Sequence, residues 1–416
     1  MWQYLMCVLL TFCSGAFGDN LLINPGFFEL TTSVIQSSRF DYTKEKVIGV
    51  NLGGWLLTEP FISPTLYSEA SLDGSESTTP IDEYNFCKQL GYLEAYKRLK
   101  QHWDTWITES DIIKIKDYGF NAVRIPVGYW AFKLADGDPY VTGQEKYLFK
   151  AIEWCRKHQI KMWIDLHGIP GSQNGFDNSG QRDVLDWITN KKNYDLGMEV
   201  LEYIYQRFGG SEYEDVIIGI QNLNEPLGVH YPIESILKFN ADTYNLFNKY
   251  SSNNFVFHDA FMEPNYWSKH MLIPDTVLDH HYYTCFSTSQ LRNSIDEHVN
   301  GVKWYTNEIL KASRIQILGE WSAALSDCTR WLNGVGRGAR YDNTYLGDGH
   351  IGECRFSNDY TKMTAKDIEN MKKFIQAQLD SYTQLNGYFF WTWKTEDAIE
   401  WNLSALLELG FFPKPK

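Results

Sequence analysis

The chain predicts an α/β protein, a single-domain (β/α)8 TIM barrel, on three observations. Eight short β-rich runs recur along it, segments with helical spacing separate them, and no linker divides its 416 residues. The runs are Val47–Asn51, Phe120–Pro126, Lys161–Leu166, Val216–Leu223, Phe255–His258, Thr276–Asp279, Ile315–Leu318 and Gly387–Trp391. Between them, stretches such as Glu109–Tyr118 and Ala365–Leu379 return an apolar residue every three or four positions, the spacing of a helix with one buried face. No Pro/Gly/Ser-rich tract, charge block or fixed-period repeat interrupts the alternation, so one domain is the simpler reading. An open, doubly wound sheet would carry a Gly-rich phosphate turn after its first strand, and Asn51-Leu52-Gly53-Gly54-Trp55 does not match one.

Ahead of the first run, Tyr4 to Cys13 is apolar but far too short to span a bilayer, and Ala16-Phe17-Gly18 follows it as a small-x-small site. This reads as a secretion signal over residues 1–18, placing the chain outside the cell or in the wall. Residues 19–39 have no periodicity and read as a pro-segment or amino-terminal arm, leaving 40–416 for the barrel. Losing Cys7 and Cys13 with the signal would leave Cys87, Cys155, Cys285, Cys328 and Cys354. An odd number permits one or two bridges, of which Cys328 with Cys354 is the most local, and the spacing leaves connectivity open. None of the cysteines has zinc-ligand spacing. Asn402-Leu403-Ser404 is a sequon for N-glycosylation.

With 38 Lys and Arg against 52 Asp and Glu, the formal charge is −14. That balance repels phosphate backbones and anionic lipid, so it argues against nucleic acid and membrane surfaces as partners and for a neutral substrate. Aromatic residues make up 16% of the chain, with 15 Trp and 26 Tyr. Beyond filling a core, such side chains hold sugar rings by their apolar faces.

In a (β/α)8 barrel the chemistry sits at the carboxyl ends of the strands. The fourth run ends in Asn224-Glu225-Pro226 and the seventh in Gly319-Glu320-Trp321. Two carboxylates delivered by separate strand ends suit a glycosidic bond, where one protonates the leaving oxygen while the other attacks or activates water. Asn51, Arg124, His167, His281 and Trp391 lie at or near the ends of other runs. No cofactor and no metal is implied, because the carboxylate pair completes the mechanism.

Several long motifs also resemble those of a known family. They are Gly49-Val-Asn-Leu-Gly-Gly-Trp-Leu-Leu-Thr-Glu-Pro60, the run from Gly119 to Phe132, Asp165-Leu-His-Gly-Ile-Pro-Gly-Ser-Gln-Asn-Gly-Phe-Asp-Asn178, Asn224-Glu-Pro226 and Gly319-Glu-Trp-Ser322. In this order, from about Phe40 to Pro415, they are similar to the fungal secreted exo-β-1,3-glucanases of glycoside hydrolase family five. The resemblance implies Glu225 as acid/base and Glu320 as nucleophile of a retaining reaction, with carboxyls roughly 5–5.5 Å apart. It implies that Arg124 keeps the nucleophile ionised, and that Asn224, His167, His281 and Tyr283 bind the sugar or orient the two glutamates. Glu225 is then expected to hold its proton, favoured by the anionic Glu320 beside it. Glu59 and Trp391 match residues that grip the terminal glucose, and Phe176, Asp177 and Phe286 match positions further out that clamp the next sugar.

The loop Thr329 to Tyr341, with Arg330, Arg337 and Arg340, matches the family's loop after the seventh strand and reads as solvated rather than as an anion site. Relatives often carry a dibasic site before the barrel and a cysteine-bearing tail; here only Arg39 precedes Phe40, and the chain closes on Pro413-Lys-Pro-Lys416. The expected activity is removal of glucose from non-reducing ends of β-1,3-glucan in wall remodelling, by a monomer. Transglycosylation, endo cleavage and a catalytically silent wall protein on the same fold are the alternatives.

Overall fold

The computed structural model describes residues 39–347 and 349–415. The expected signal and almost all of the expected arm lie outside the described residues. Arg39, at the arm's end, already donates to Asn254 at 2.9 Å.

The eight runs form eight parallel strands: β1 Val47–Asn51, β2 Ala122–Gly128, β3 Lys161–Gly168, β4 Ile217–Gln221, β5 Phe255–His258, β6 Val277–His281, β7 Ile315–Glu320 and β8 Gly387–Phe390. Neighbours in sequence pair in order and β1 pairs with β8, closing the barrel. Helices Glu83–Thr105, Glu145–His158, Lys191–Phe208, Ile233–Tyr250, Ile295–Ile309 and Ala365–Tyr382 return the chain between strands. Three helices start at capping boxes, Thr108 with Asp111, Ser294 with Glu297 and Thr364 with Asp367, where a hydroxyl and a carboxylate satisfy each other's free backbone N–H. One step of the alternation fails. Between β5 and β6 the described chain makes only the 3₁₀ turn Tyr266–Ser268, in a short segment punctuated by Pro264 and Pro274, which cannot donate to a helical ladder.

Parallel strands inside a ring of helices are buried on both faces, so side chains alternate between two cores. Outward residues such as Val50, Val123, Ile164, Ile220 and Leu318 join helix residues such as Leu148, Leu201, Phe239, Val302 and Phe374 in one apolar layer. Inward residues at the amino ends, Val47, Ala122, Trp163, Ile218, Val256, Val277, Ile317 and Phe389, form a second cluster with Phe40 and Tyr42, which plug the barrel floor. Trp163 donates to the Tyr42 hydroxyl at 2.6 Å, and that hydroxyl donates to the Ile218 carbonyl at 2.8 Å. Space for the rings comes from glycine: a Cβ on Gly49 would lie 2.2 Å from the Phe389 ring.

Cys328 and Cys354 are disulfide-bonded, while Cys87, Cys155 and Cys285 are free and buried. Asn402 of the sequon caps the helix Leu403–Glu408: its Oδ1 accepts from Ala405 N–H at 3.0 Å and its Nδ2 donates to the Thr395 carbonyl at 2.8 Å. A glycan there would have to open this turn. No described helix is long and apolar enough to cross a membrane.

Candidate active site

Two residues beyond the apolar floor, the same strands point polar groups inward. Arg124, wholly buried, is the hub. Its Nη1 donates to Glu320 Oε1 at 2.9 Å and to Asn51 at 2.9 Å, its Nη2 to Asn224 at 2.7 Å, and its Nε to Gln221 at 3.1 Å. Asp165 lies 3.1 Å from Nη2 and Asp279 3.8 Å. Burial opposes its charge, but Asp165, Glu320 and Asp279 together outweigh burial and raise the guanidinium's pKa. Close packing is built in at Gly319, where a Cβ would lie 1.9 Å from Asp279 Oδ1.

Above the hub sit the two glutamates. Glu320 Oε2 accepts from the Tyr283 hydroxyl at 2.9 Å, so both its oxygens face donors. Glu225 holds a left-handed backbone, φ 44°, and its Oε2 accepts from Asn178 at 3.1 Å. His281 joins the pair: its Nδ1 lies 2.8 Å from Glu225 Oε1 and 3.5 Å from Glu320 Oε2, and its Nε2 lies 3.1 Å from Asp279. His280, its neighbour, points away to Asp259 at 2.7 Å and Gln316 at 3.0 Å. His167 donates Nδ1–H to Asp165 at 2.6 Å, leaving Nε2 facing the Asn224 amide at 3.4 Å, and stacks on Trp391 with ring centres 5.5 Å apart.

One electrostatic expectation is reversed. Burial pushes Glu225 up, but the His281 hydrogen bond and charge, with His258 and His167, outweigh it and bring Glu225 down to about 2. Glu320 is raised: burial, with the charge of Glu225, outweighs the pull of His281 and Arg124, so the lowering expected from Arg124 does not prevail. His281 is itself raised well above the usual histidine value: burial opposes its charge, but Glu320, Asp279 and Glu225 prevail. These directions favour an ionised Glu225 hydrogen-bonded to a protonated His281 in the ligand-free site.

These groups floor a cleft of about 470 Å³ whose lining includes Glu59, Phe176, Asp177, Phe286 and Trp391. Phe176 and Phe286 stand at its rim, 43% and 40% exposed, free to meet an apolar sugar face. Glu59 Oε1 and Asp177 Oδ2 are buried with no hydrogen-bond partner among the described residues, and burial raises Glu59 well up and Asp177 to about 7. Both suit hydrogen bonding to hydroxyls. The structure thus brings together every residue singled out in the sequence. It seats Asn51 on Arg124 as the strand-end position led one to expect, and adds Asp165, Gln221 and Asp279 beneath the glutamates, Asn178 beside Glu225, and Phe61, Tyr345 and Trp401 in the cleft wall. Of the additions, Asp165, Gln221 and Asp279 are buried polar residues on strands, which the continuous apolar runs do not single out. The arginine loop is corrected. Arg337 and Arg340 line the cleft, tied to Asp183 at 2.9 Å and Asp327 at 3.1 Å, because the neighbouring disulfide and these ion pairs fold the loop against it.

Glu225, His258 and His281 bring potential ligand atoms within 4.8 Å of one another. The donor set does not suit a metal. His258 Nδ1 accepts from the Ala260 N–H at 2.9 Å, so its proton is on Nε2, and both His281 nitrogens face carboxylates.

A (β/α)8 barrel with a buried, donor-clamped carboxylate pair under an aromatic-rimmed cleft is the architecture of a glycoside hydrolase. Residues 83–337 match the model of the cellulase family, glycosyl hydrolase family 5, and the chain belongs to that family. It is 47% identical to glucan 1,3-beta-glucosidase 2 of Wickerhamomyces anomalus, over 90% of each chain. It is 45% identical to glucan 1,3-beta-glucosidase of Schwanniomyces occidentalis, over 95% of each. Among solved structures, rutinosidase from Aspergillus niger shares the fold, with a TM-score of 0.71 at 19% identity over 90% of this chain and 99% of that one.

Proposed function

We propose that the protein is a secreted retaining exo-β-1,3-glucanase, with Glu320 as nucleophile and Glu225 as acid/base. The observation that carries the reading is the single His281 nitrogen that faces both glutamates, at 2.8 and 3.5 Å. That shared contact favours the roughly 5–5.5 Å spacing of a retaining pair over the about 6.5–9.5 Å that an inverting pair keeps for water. Glu320, clamped by Arg124 and Tyr283, attacks C1 of the terminal glucose as Glu225 gives its proton to the departing glucan oxygen. The C1–O bond breaks and a glycosyl ester on Glu320 forms. Water then attacks C1, gives its proton to Glu225 and releases Glu320 with β configuration restored.

For the first step the proton passes from His281 Nδ1 to Glu225 along the 2.8 Å bond. Displacement of water by a neutral sugar favours that transfer, since it replaces two buried charges by none. Glu59, Asp177 and Trp391 hold the terminal sugar, and Phe176 with Phe286 hold the next. Secretion fits a disulfide, which persists in an oxidising compartment.

Time-resolved NMR of laminarin digestion, with Glu320→Ala as control, tests the reading. Early β-glucose absent from the control supports it; early α-glucose, longer oligosaccharides or no turnover each overturns part of it.

A further inference from the structure

His258, the last residue of β5, is buried beside the proton-handling pair yet takes no part in the steps above. Its Nδ1 is capped by the Ala260 N–H at 2.9 Å, with Asp259 Oδ1 at 3.5 Å, so the ring carries its hydrogen on Nε2. Nε2 has no hydrogen-bond partner among the described residues. A buried donor left unpaired penalises the fold, so its retention calls for an explanation. Its setting supplies one. The ring stands edge-on to His281 with centres 4.3 Å apart, and one of its nitrogens is within 4.8 Å of a Glu225 oxygen, too long for a bond at rest and short enough for one after a small side-chain rotation.

We propose that His258 is a positioning residue for the second half of the reaction: its Nε2–H takes up the Glu225 carboxylate once Glu225 has given its proton to the leaving sugar. The inference rests on the reading of Glu225 as acid/base. In the glycosyl-enzyme, Glu320 is an uncharged ester, and the Glu225 carboxylate must stay ionised and aimed at water. Asn178 supplies one donor; His281 Nδ1, having passed its proton on, supplies none in this state, and Nε2–H of His258 is the second. It acts without adding charge, because burial, more than any neighbouring charge, pushes the His258 ring down to about 4. The groups facing His258 are Asp259, His281, Asp279 and Glu225; those facing Glu225 are His281, His258, His167, Glu320, Glu59 and Tyr283.

Two substitutions separate this role from the ring's structural one. Asn places an oxygen where Nδ1 was, keeping the Ala260 cap without the far donor, while Gln places an N–H₂ near Nε2. With a dinitrophenyl β-glucoside, whose leaving group needs no acid, kcat reports hydrolysis of the glycosyl-enzyme. His258→Asn is expected to lower kcat about tenfold, the worth of one hydrogen bond to a charged group, with a parallel fall in KM. His258→Gln should recover most of that. The Glu225 carboxyl, followed by ¹³C NMR in the full chain carrying Glu320→Gln, which gives position 320 the uncharged state it has in the ester, should titrate at higher pH when His258→Asn is added and return with His258→Gln. An unmoved titration, equal behaviour of the two variants, or loss confined to His258→Gln would overturn the proposal. Failure of the wild type to turn over the glucoside would instead count against the assigned activity, and the titration would still decide the pairing.

Discussion

The barrel interior is built from two materials along the same eight strands. At the amino ends, Trp163, Ile317 and Phe389 pack with Phe40 and Tyr42 into an apolar plug with no ionisable group except the Tyr42 phenol. Two residues further along, Trp163 gives way to Asp165, Ala122 to Arg124, Val277 to Asp279 and Val256 to His258, all buried. The plug needs only volume and loses little if one methylene is missing. The ionic layer needs every partner, because each buried charge is tolerable only while its counter-charge and hydrogen bonds are in place. Stability is concentrated at one end and chemistry at the other, and substitutions at the two ends should fail in different ways.

The largest effect is expected from Glu320→Ala, on the order of 10⁴-fold or more in kcat, the usual scale for removing a nucleophile, with thermal unfolding little changed. A variant that kept turnover would sink the division of labour outright. Arg124→Met comes next. It takes their shared cation from Glu320, Asp165 and Asp279 and should cost about 3–5 kcal/mol of stability together with activity. Denaturant melts and turnover measured on one preparation would show whether the two losses arrive together, as the hub geometry requires.

Ile317→Val sharpens the contrast from the other end. Ile317 is fully buried in the plug, three residues before Glu320 on β7. The expected cost is about 0.5–1.5 kcal/mol, with the pH profile of kcat/KM of the folded enzyme unchanged. A displaced pH profile would mean that packing at the floor is transmitted to the glutamates, and the two ends could no longer be treated separately.

How much of this was legible in the sequence follows from the same division. The eight runs were visible because parallel strands buried on both faces read as continuous apolar stretches, but that continuity hides which residues face inward. Glu225 and Glu320 stood out at strand ends beside long motifs. Asp165, Gln221 and Asp279 did not, because their role exists only when β2, β3, β4 and β6 close around Arg124 and bring together residues as much as 100 positions or more apart, as Arg124 with Asn224 and with Glu320. The helix expected after β5 was replaced by a turn, and the arginine loop was tied to the cleft by ion pairs that spacing does not reveal. The protonation of Glu225 is hidden from the sequence for a related reason: the motifs show Glu320 as its neighbour, while the bond to His281 depends on how β4 and β6 are set across the barrel.

The smallest effect, and the finest test of the two-ended picture, is pH-dependent. Apart from the Tyr42 phenol the plug has nothing to titrate, so within the barrel interior pH acts on stability through the upper layer, beside buried carboxyls outside the barrel such as Glu83 and Glu400. Asp279 and Glu225, both brought down to about 2 despite burial, mainly by His281, contribute stability that is present above their unfolded values near 4 and is lost as pH falls through about 2. Asp177 has the opposite sign. Burial raises it from 3.8 to about 7, so the stability tied to its proton is fully present below 3.8 and is lost as pH rises through about 7. Asp177→Asn keeps a neutral side chain at every pH and should flatten the decline of Tm between pH 4 and 7, by about 1 kcal/mol or less because Asp177 is partly open to the cleft. Its acid limb should still fall with that of the wild type. Ile317→Val should give a curve lower than the wild type and parallel to it throughout. A flattened Ile317→Val curve, or an Asp177→Asn curve parallel to the wild type, would place the titrating groups elsewhere than in the layer that does the chemistry.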